Sequence, residues 1–141
     1  MADIDSFADE FARLAVTEGL TKGSKAYRNG RRTFFATSVA TGFEEHFGHN
    51  VADLKAWQDL CKTAGIKDED VPQSIKKCKK ALTSKFVNIV DLVDARRQGK
   101  VVKAFQSADA LRKYIQKTGK IFPKEAAKRN PLLKAFLITV F

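Results

Sequence analysis

The chain has 141 residues, of which 44% are hydrophobic and 30% charged, a composition that indicates one folded domain and excludes a disordered or fibrous protein. Its two cysteines are too few for a disulfide scaffold, and no apolar run approaches the roughly 20 residues of a membrane-spanning helix. The N-terminal sequence is acidic and lacks the basic and apolar segments of a secretory signal, so we expect an intracellular protein of the cytoplasm or nucleus.

Three helices are predicted in the first half of the chain, where apolar residues recur every three or four positions. Their expected ranges are 5–18, 25–47 and the segment between Asn50 and Gly65. Ser6, Ser24 and Asn50 are expected to cap them, because a short polar side chain there can accept a free backbone N–H.

Two glycines, Gly30 and Gly42, lie inside the second predicted helix. Each lowers helix stability by about 1 kcal/mol relative to alanine. We therefore expect a kink, a break or a close helix crossing at one of them.

Five further helices are predicted in the second half. Two of them are expected to span 86–97 and 123–129. The other three are expected to begin near Val71-Pro72, after Ser107 and at Pro131. The three prolines are each expected at the first position of a helix. The last helix is apolar on most sides and is expected to be buried against the first one.

The sequence predicts the secondary structure of two neighbouring segments less clearly. The segment 86–97 fits a helix, although its β-branched residues also allow a strand at its start. The segment 100–106 is the best strand candidate in the chain, but it alternates poorly and is alternatively an extended connector.

These elements predict an all-α fold, an irregular bundle of six to eight helices with at most one short extended segment near 100–106. We expect a single helical domain over residues 1–141. Its first part, 1–70, carries a net charge of −3, and its second part, 71–141, a net charge of +13. Such asymmetry suggests an electrostatic docking surface.

Three strings of the basic half, SIKKCKKAL, VNIVDLVDARRQGK and GKIFPKEAAK, resemble those of small uncharacterised proteins of filamentous fungi. The similarity extends over most of the chain. It implies a eukaryotic intracellular protein and assigns no activity and no site residues.

The strongest functional signal is the density of cations in the basic half, where few carboxylates are near in sequence. A phosphate-bearing partner would relieve their repulsion and release counterions. Tyr27 and Tyr114, which stand beside cations, are candidates for stacking on bases. The candidate polyanion-binding residues are Lys76, Lys77, Lys79, Lys80, Arg96, Arg97, Lys100, Lys103, Arg112 and Lys113. The alternative is a solvated face that the acidic half neutralises.

Other constellations are better explained without a ligand. His46 and His49 have the spacing of a metal pair but no evident third ligand, so no metal site and no cofactor are predicted. Cys61 and Cys78 fall on apolar stripes and are expected to be inert core thiols, with a catalytic cysteine–histidine pair as the minor alternative.

Two further patterns concern charge pairing and the C-terminus. Asp91 and Asp94 are expected to pair with Arg97 or nearby lysines, three or four positions away in the sequence. The C-terminal residues, ending in Phe141, have the pattern of a PDZ-type ligand, which requires an exposed tail. A buried final helix would exclude that use.

The sequence therefore predicts a non-enzymatic binding module whose basic surface takes a polyanion, with nucleic-acid backbone as the first choice. The alternative is a protein-interaction or self-associating adaptor that docks an acidic partner. No catalytic constellation, no small-molecule substrate and no transmembrane segment is predicted.

Overall fold

The computed structural model describes residues 5–140, and within that range the chain forms eight α-helices and no β-strand. The helices are α1 Phe7–Thr17, α2 Lys25–Phe47, α3 Leu54–Thr63, α4 Ile75–Leu82, α5 Ile89–Gln98, α6 Ala108–Thr118, α7 Lys124–Ala127 and α8 Pro131–Val140. A single 3₁₀ turn, Asp68–Asp70, precedes α4. The predicted all-α class is confirmed.

The helix caps follow the local sequence with one exception. Ser6, Ser24 and Ser107 cap α1, α2 and α6, each accepting the backbone N–H three residues on. The prediction for α3 is wrong, because Asp53 caps it by accepting the Lys55 N–H at 3.0 Å. Asn50 accepts the Ala52 N–H and closes the turn that precedes the helix.

Of the three prolines, Pro131 alone occupies the first position of a helix as predicted. Pro72 lies before α4, which begins at Ile75 after a Ser74 cap. Its carbonyl instead accepts a hydrogen bond from the Gln58 side chain at 2.9 Å. This bond holds the segment before α4 against α3. Pro123 stands at the cap position of α7.

The ambiguous region around residue 86 is extended before it becomes helical. The Asn88 side chain caps α5, so the helix begins three residues later than the predicted start at Phe86. Phe86 forms one antiparallel bridge with Phe105, whose N–H donates to the Phe86 carbonyl at 2.8 Å. The segment 100–106 is therefore an extended connector, held by this bridge and by Val102, whose N–H donates to Thr63.

One hydrophobic core draws on residues from Phe7 to Val140. The long helix α2 packs against α1, α3, α5 and α7, and α3 packs against α4. Helix α1 packs mainly against α2, and α8 packs mainly against α4 and α7. The first and last helices are therefore not each other's main packing partners, contrary to the prediction. Both are covered by other elements.

Of the two glycines inside α2, Gly42 marks a close helix crossing. A β-carbon there would lie 2.9 Å from Val93 Cγ1 of α5 and 3.2 Å from Phe7 Cζ of α1. The helix passes both Gly30 and Gly42 without interruption. Of the three alternatives predicted for these glycines, Gly42 therefore shows the close helix crossing, and neither glycine kinks or breaks the helix.

Candidate functional site

The α4 lysine cluster, Lys76, Lys77, Lys79 and Lys80, is the largest group of predicted polyanion contacts that lies on one helix. The apolar residues Ile75, Cys78 and Leu82 turn one side of α4 inward, which leaves all four lysines exposed to solvent. None of them forms an ion pair with a carboxylate within residues 5–140.

The first turn of α4 contains lysines and no acidic residue. A helix N-terminus carries partial positive charge, so two lysines there add to an unfavourable local potential. A bound anion would lower the energy of this arrangement, which makes the cluster an electrostatically suitable place for a phosphate.

The side chain of Arg97, a predicted contact residue on α5, is engaged in contacts within the protein. Its guanidinium pairs with Glu10 at 2.8 Å, donates to the Asp5 carbonyl and lies 3.9 Å from the centroid of the Phe7 ring. Only 14% of its side chain is exposed. Arg97 therefore anchors α1 to α5 and does not belong to the candidate surface.

Arg96 is only partly available. It lies 3.8 Å from Asp59 of α3, and its guanidinium is 5.9 Å from the centroid of the Phe47 ring. The pairs Arg96–Asp59 and Arg97–Glu10 are where the acidic half neutralises the basic half in the described structure. Neither carboxylate reaches the α4 lysine cluster.

The remaining predicted contact residues lie on other elements. Lys100 and Lys103 are exposed on the extended connector. Arg112 and Lys113 are exposed on α6, where both approach Asp109, at 3.4 and 3.5 Å. These exposed pairs are weak, and because one carboxylate faces two cations, the local charge stays positive.

The two tyrosines considered for base stacking are engaged in packing. Tyr27 meets Phe11 edge-on, with ring centroids 5.1 Å apart. Tyr114 packs on Phe105 at 4.9 Å, and its hydroxyl donates to Asp91 at 2.5 Å. Each ring also lies near a cation, Arg31 at 5.7 Å from the Tyr27 centroid and Lys120 at 5.6 Å from that of Tyr114, and base stacking by either ring stays a prediction.

Tyr114 belongs to a polar network, with Asp91 and Lys120, that the sequence did not reveal. The Lys120 ammonium donates to Asp91 at 2.8 Å and to the Tyr114 hydroxyl at 3.1 Å. Burial by itself would lower the pKa of Lys120, but these hydrogen bonds raise it overall, and burial raises the pKa of Tyr114. Asp91 thus pairs across to α6 and its following loop, not within its own helix as expected.

Asp94 is also paired differently from the prediction. It is buried, and its carboxylate accepts the N–H of Phe7, the first residue of α1, at 3.0 Å. Burial raises its pKa from 3.8 to about 6, against the opposing effects of this hydrogen bond and of Arg97. Asp94 and Arg97 together hold the beginning of α1 in place.

The cysteines lie between α3 and α4. Both are fully buried, and the Cys61 thiol donates to the Cys78 carbonyl at 3.8 Å. Burial raises the pKa of Cys61 to about 12, which makes it a poor nucleophile at neutral pH. No hydrogen bond joins either thiol to His46 or His49 in residues 5–140.

The two histidines do not assemble a ligand cluster. His49 lies 3.1 Å from the carboxylate of Glu44, and both side chains are largely exposed. Across the described range, no group of three histidine, cysteine, aspartate or glutamate side chains could hold a metal ion.

No family model, curated protein or solved structure matches this chain. The resemblance to the fungal proteins stays a prediction. Among residues 5–140, no helix combines the length and the apolar character needed to cross a bilayer.

The C-terminal recognition motif depends on Phe141, which lies outside the described residues. The residues before it belong to α8, where Val140 is buried and the Thr139 hydroxyl donates to the Ala135 carbonyl at 2.8 Å. The preceding part of the motif is therefore helical rather than extended.

Arginines from both halves of the chain lie near one cleft along α2. Arg31 of α2 lies against Gly119 at the end of α6, where a β-carbon would collide with its guanidinium. Arg32 and Arg129 line one cleft between α2 and α7. The small residues that recur along α2 are the one sequence signal that could have indicated this cleft, and sequence reasoning missed it.

Proposed function

We propose that the chain is a non-enzymatic binding module, in which the α4 lysine cluster contacts the phosphates of a nucleic-acid backbone. One observation carries the proposal: four neighbouring lysines are exposed and have no carboxylate partner in the described part of the chain. Lys100, Lys103, Arg112 and Lys113 would extend this surface, and Arg96 would contribute partly. Binding of this kind recognises charge rather than base sequence.

The test is fluorescence anisotropy of a labelled oligonucleotide titrated with the full chain over a series of NaCl concentrations. The affinity is expected to fall steeply with salt, because each neutralised phosphate adds about 0.9 to the log–log slope. In the α4 variant all four lysines of the cluster become glutamine, and its slope should be shallower by roughly that amount for each phosphate that is no longer neutralised.

The matched control removes the same charge from exposed lysines outside the proposed surface, namely Lys22, Lys25, Lys124 and Lys128. This control variant should keep most of the affinity, since its lysines make no proposed contact. Equal affinity of wild type and α4 variant, or no binding at low salt, would refute the proposal. Far-UV circular dichroism of each variant checks that the helices remain folded.

The alternative of a self-associating adaptor is favoured by the acidic turn Asp68–Asp70. Its three carboxylate side chains are exposed and form no ion pair within residues 5–140, although α4 follows directly. The acidic turn of one copy could therefore meet the α4 lysine cluster of another. Salt-sensitive oligomers in light scattering, in the absence of nucleic acid and abolished in the α4 variant, would favour this function.

A further inference from the structure

An open cleft of about 480 Å³ runs between α2 and α7. Its α2 wall is one straight stripe, because lining residues recur every four positions from Arg32 through Ala36 and Ala40 to Glu44. This stripe is about 18 Å long, which corresponds to roughly three turns of helix. The cleft is therefore elongated, with Arg32 at one end and Glu44 at the other.

The middle of the stripe carries only short side chains. Ala36 and Ala40 are half-buried, and Thr37 and Thr41 beside them are exposed. Short side chains allow a second helix to approach closely, to about 8 Å between the two helix axes. The middle of the α2 face thus has the shape of a helix-packing surface, although the described residues leave it open to solvent.

The two ends of the stripe carry opposite charges that are available to a partner. Arg32 is exposed, and within residues 5–140 it forms neither an ion pair nor a side-chain hydrogen bond. The side chain of Glu44 is 60% exposed, and one of its oxygens lies 3.1 Å from His49 Nδ1. The opposite wall of the cleft adds Glu125 and Arg129, one charge of each sign, so it leaves the net charge of the cleft unchanged.

The charges of α2 also oppose the dipole of the helix at both ends. The first turn contains Lys25 and Arg28 and no acidic residue, although a helix N-terminus favours negative charge. The last turn contains Glu44 and Glu45 beside His46, although a helix C-terminus favours positive charge. A second α2 in the antiparallel direction would bring its acidic end to the basic end of the first and would place the two dipoles in opposite directions.

We propose that the α2/α7 cleft is the interface of a symmetric dimer, in which α2 of a second copy of this chain lies antiparallel in the cleft. The two-fold axis passes near Ser38, midway between Arg32 and Glu44. Arg32 of each copy then faces Glu44 of the other, and Ala36 of each copy packs against Ala40 of the other. Every contact of a two-fold interface occurs twice with the roles exchanged, so the surface must be complementary to itself, as this stripe is.

This dimer does not depend on the proposed nucleic-acid surface, since no α4 residue lines the cleft. It also differs from the self-association considered above, in which the acidic turn Asp68–Asp70 of one copy meets the α4 lysine cluster of another.

The first test is sedimentation equilibrium of the full chain over a range of protein and NaCl concentrations. The wild type should form a reversible dimer whose dissociation constant rises with salt, because exposed ion pairs are screened. A monomer at every protein concentration in low salt would overturn the proposal.

Charge reversals test the pairing. Arg32→Glu alone and Glu44→Arg alone each place like charges at both ends of the interface, so each should weaken dimerisation at least about tenfold. The double variant Arg32→Glu with Glu44→Arg restores both pairs and should dimerise as the wild type does. A response to net charge would instead give the two single variants opposite effects, since one lowers the positive charge of the chain and the other raises it. That result, or a double variant as weak as the single ones, would refute the pairing.

Two exposed threonines of the cleft test the antiparallel direction. Thr37 lies close to the proposed axis, so the two copies of this position are offset by about 3 Å along the helices, whereas the two copies of Thr33 are offset by about 15 Å. Under mild oxidation Thr37→Cys should therefore form a disulfide-linked dimer and Thr33→Cys should not, because a disulfide requires Cα atoms within about 7 Å. The native thiols of Cys61 and Cys78 are fully buried and do not compete. Equal cross-linking at both positions, or none at Thr37→Cys, would refute the arrangement.

Two more variants separate this interface from the other surfaces. Ala40→Leu keeps every charge but fills the middle of the cleft, so it should weaken dimerisation at least about tenfold; wild-type dimerisation of this variant would refute the interface. The α4 variant changes no residue of the cleft and should dimerise at least as tightly as the wild type. Loss of the dimer in the α4 variant would assign self-association to the α4 lysine cluster and overturn the α2 interface. An intact dimer without any oligonucleotide binding by the wild type would support the α2 interface and refute only the nucleic-acid surface.

Discussion

The crossing of α2 and α5 depends on the missing side chain of Gly42. A β-carbon at this position would stand 2.9 Å from Val93 Cγ1 and 3.2 Å from Phe7 Cζ. Both neighbours are buried, and a valine on a helix has one strongly preferred side-chain rotamer, so Cγ1 cannot easily turn away. Gly42→Ala should therefore force the two helices apart or strain their side chains.

The size of the effect follows from two opposing terms. Alanine stabilises the interior of a helix by about 1 kcal/mol relative to glycine. Overpacking a close-packed core costs about 1–3 kcal/mol, and the contact with an immobile valine places Gly42→Ala at the upper end. We expect a net loss of about 1–2 kcal/mol in the free energy of unfolding, or roughly 3–8 °C in Tm.

Gly30 offers the matched control within the same helix. A β-carbon there would lie 3.2 Å from Leu20 Cδ1, the end of a flexible and only half-buried side chain that can move aside. Gly30→Ala should therefore keep most of the helical gain and leave the protein as stable as the wild type or up to about 1 kcal/mol more stable. Replacing glycine by alanine should thus lower the free energy of unfolding at position 42 and maintain or raise it at position 30.

The assay is urea unfolding followed both by circular dichroism and by the fluorescence of Trp57, the single tryptophan, which is fully buried. Coincident transitions would justify linear extrapolation to the free energy in water. If Gly42→Ala were as stable as Gly30→Ala, the close crossing would be refuted. Trimming the neighbour with Val93→Ala should remove the penalty of Gly42→Ala, which a double-mutant cycle measures as a favourable coupling.

Three further predictions concern hydrogen bonds. Because the pKa of Asp94 is raised from 3.8 to about 6, the native state keeps a proton that the unfolded state has already lost between these values. This group therefore makes the free energy of unfolding fall as the pH rises from about 4 to 6. Asp94→Asn keeps an acceptor for the Phe7 N–H and should flatten that part of the Tm–pH profile. Tyr114→Phe removes the hydroxyl bonded to Asp91 and should lower the free energy of unfolding by about 1–2 kcal/mol in urea melts; no change would refute the bond's contribution. Ser74→Ala removes the α4 cap and should cost about 1 kcal/mol in the same assay, and Ser74→Asp should not.

Local sequence rules located most of the helices. The bounds of α2 agree with the apolar periodicity to the residue, and Gly19 and Gly119 adopt the positive φ angles expected where helices end. The rules failed where two residues were chemically equivalent candidates. Asn50 and Asp53 can both cap a helix, and the choice depends on the turn between them, which follows from where α3 packs.

What the sequence determined by itself is therefore local: the helical class, the caps of α1, α2 and α6, and the outward face of α4, whose lysines are exposed because the opposite side is apolar. Only the tertiary structure decided which charges are neutralised. Arg97 and Lys120 look like any other cations in the sequence, yet each finds a carboxylate on a distant element, Glu10 and Asp91, and is partly buried there. That Arg32 and Arg129 line one cleft has the same origin, since contacts between residues far apart in the chain depend on how the helices pack and not on periodicity along any one of them.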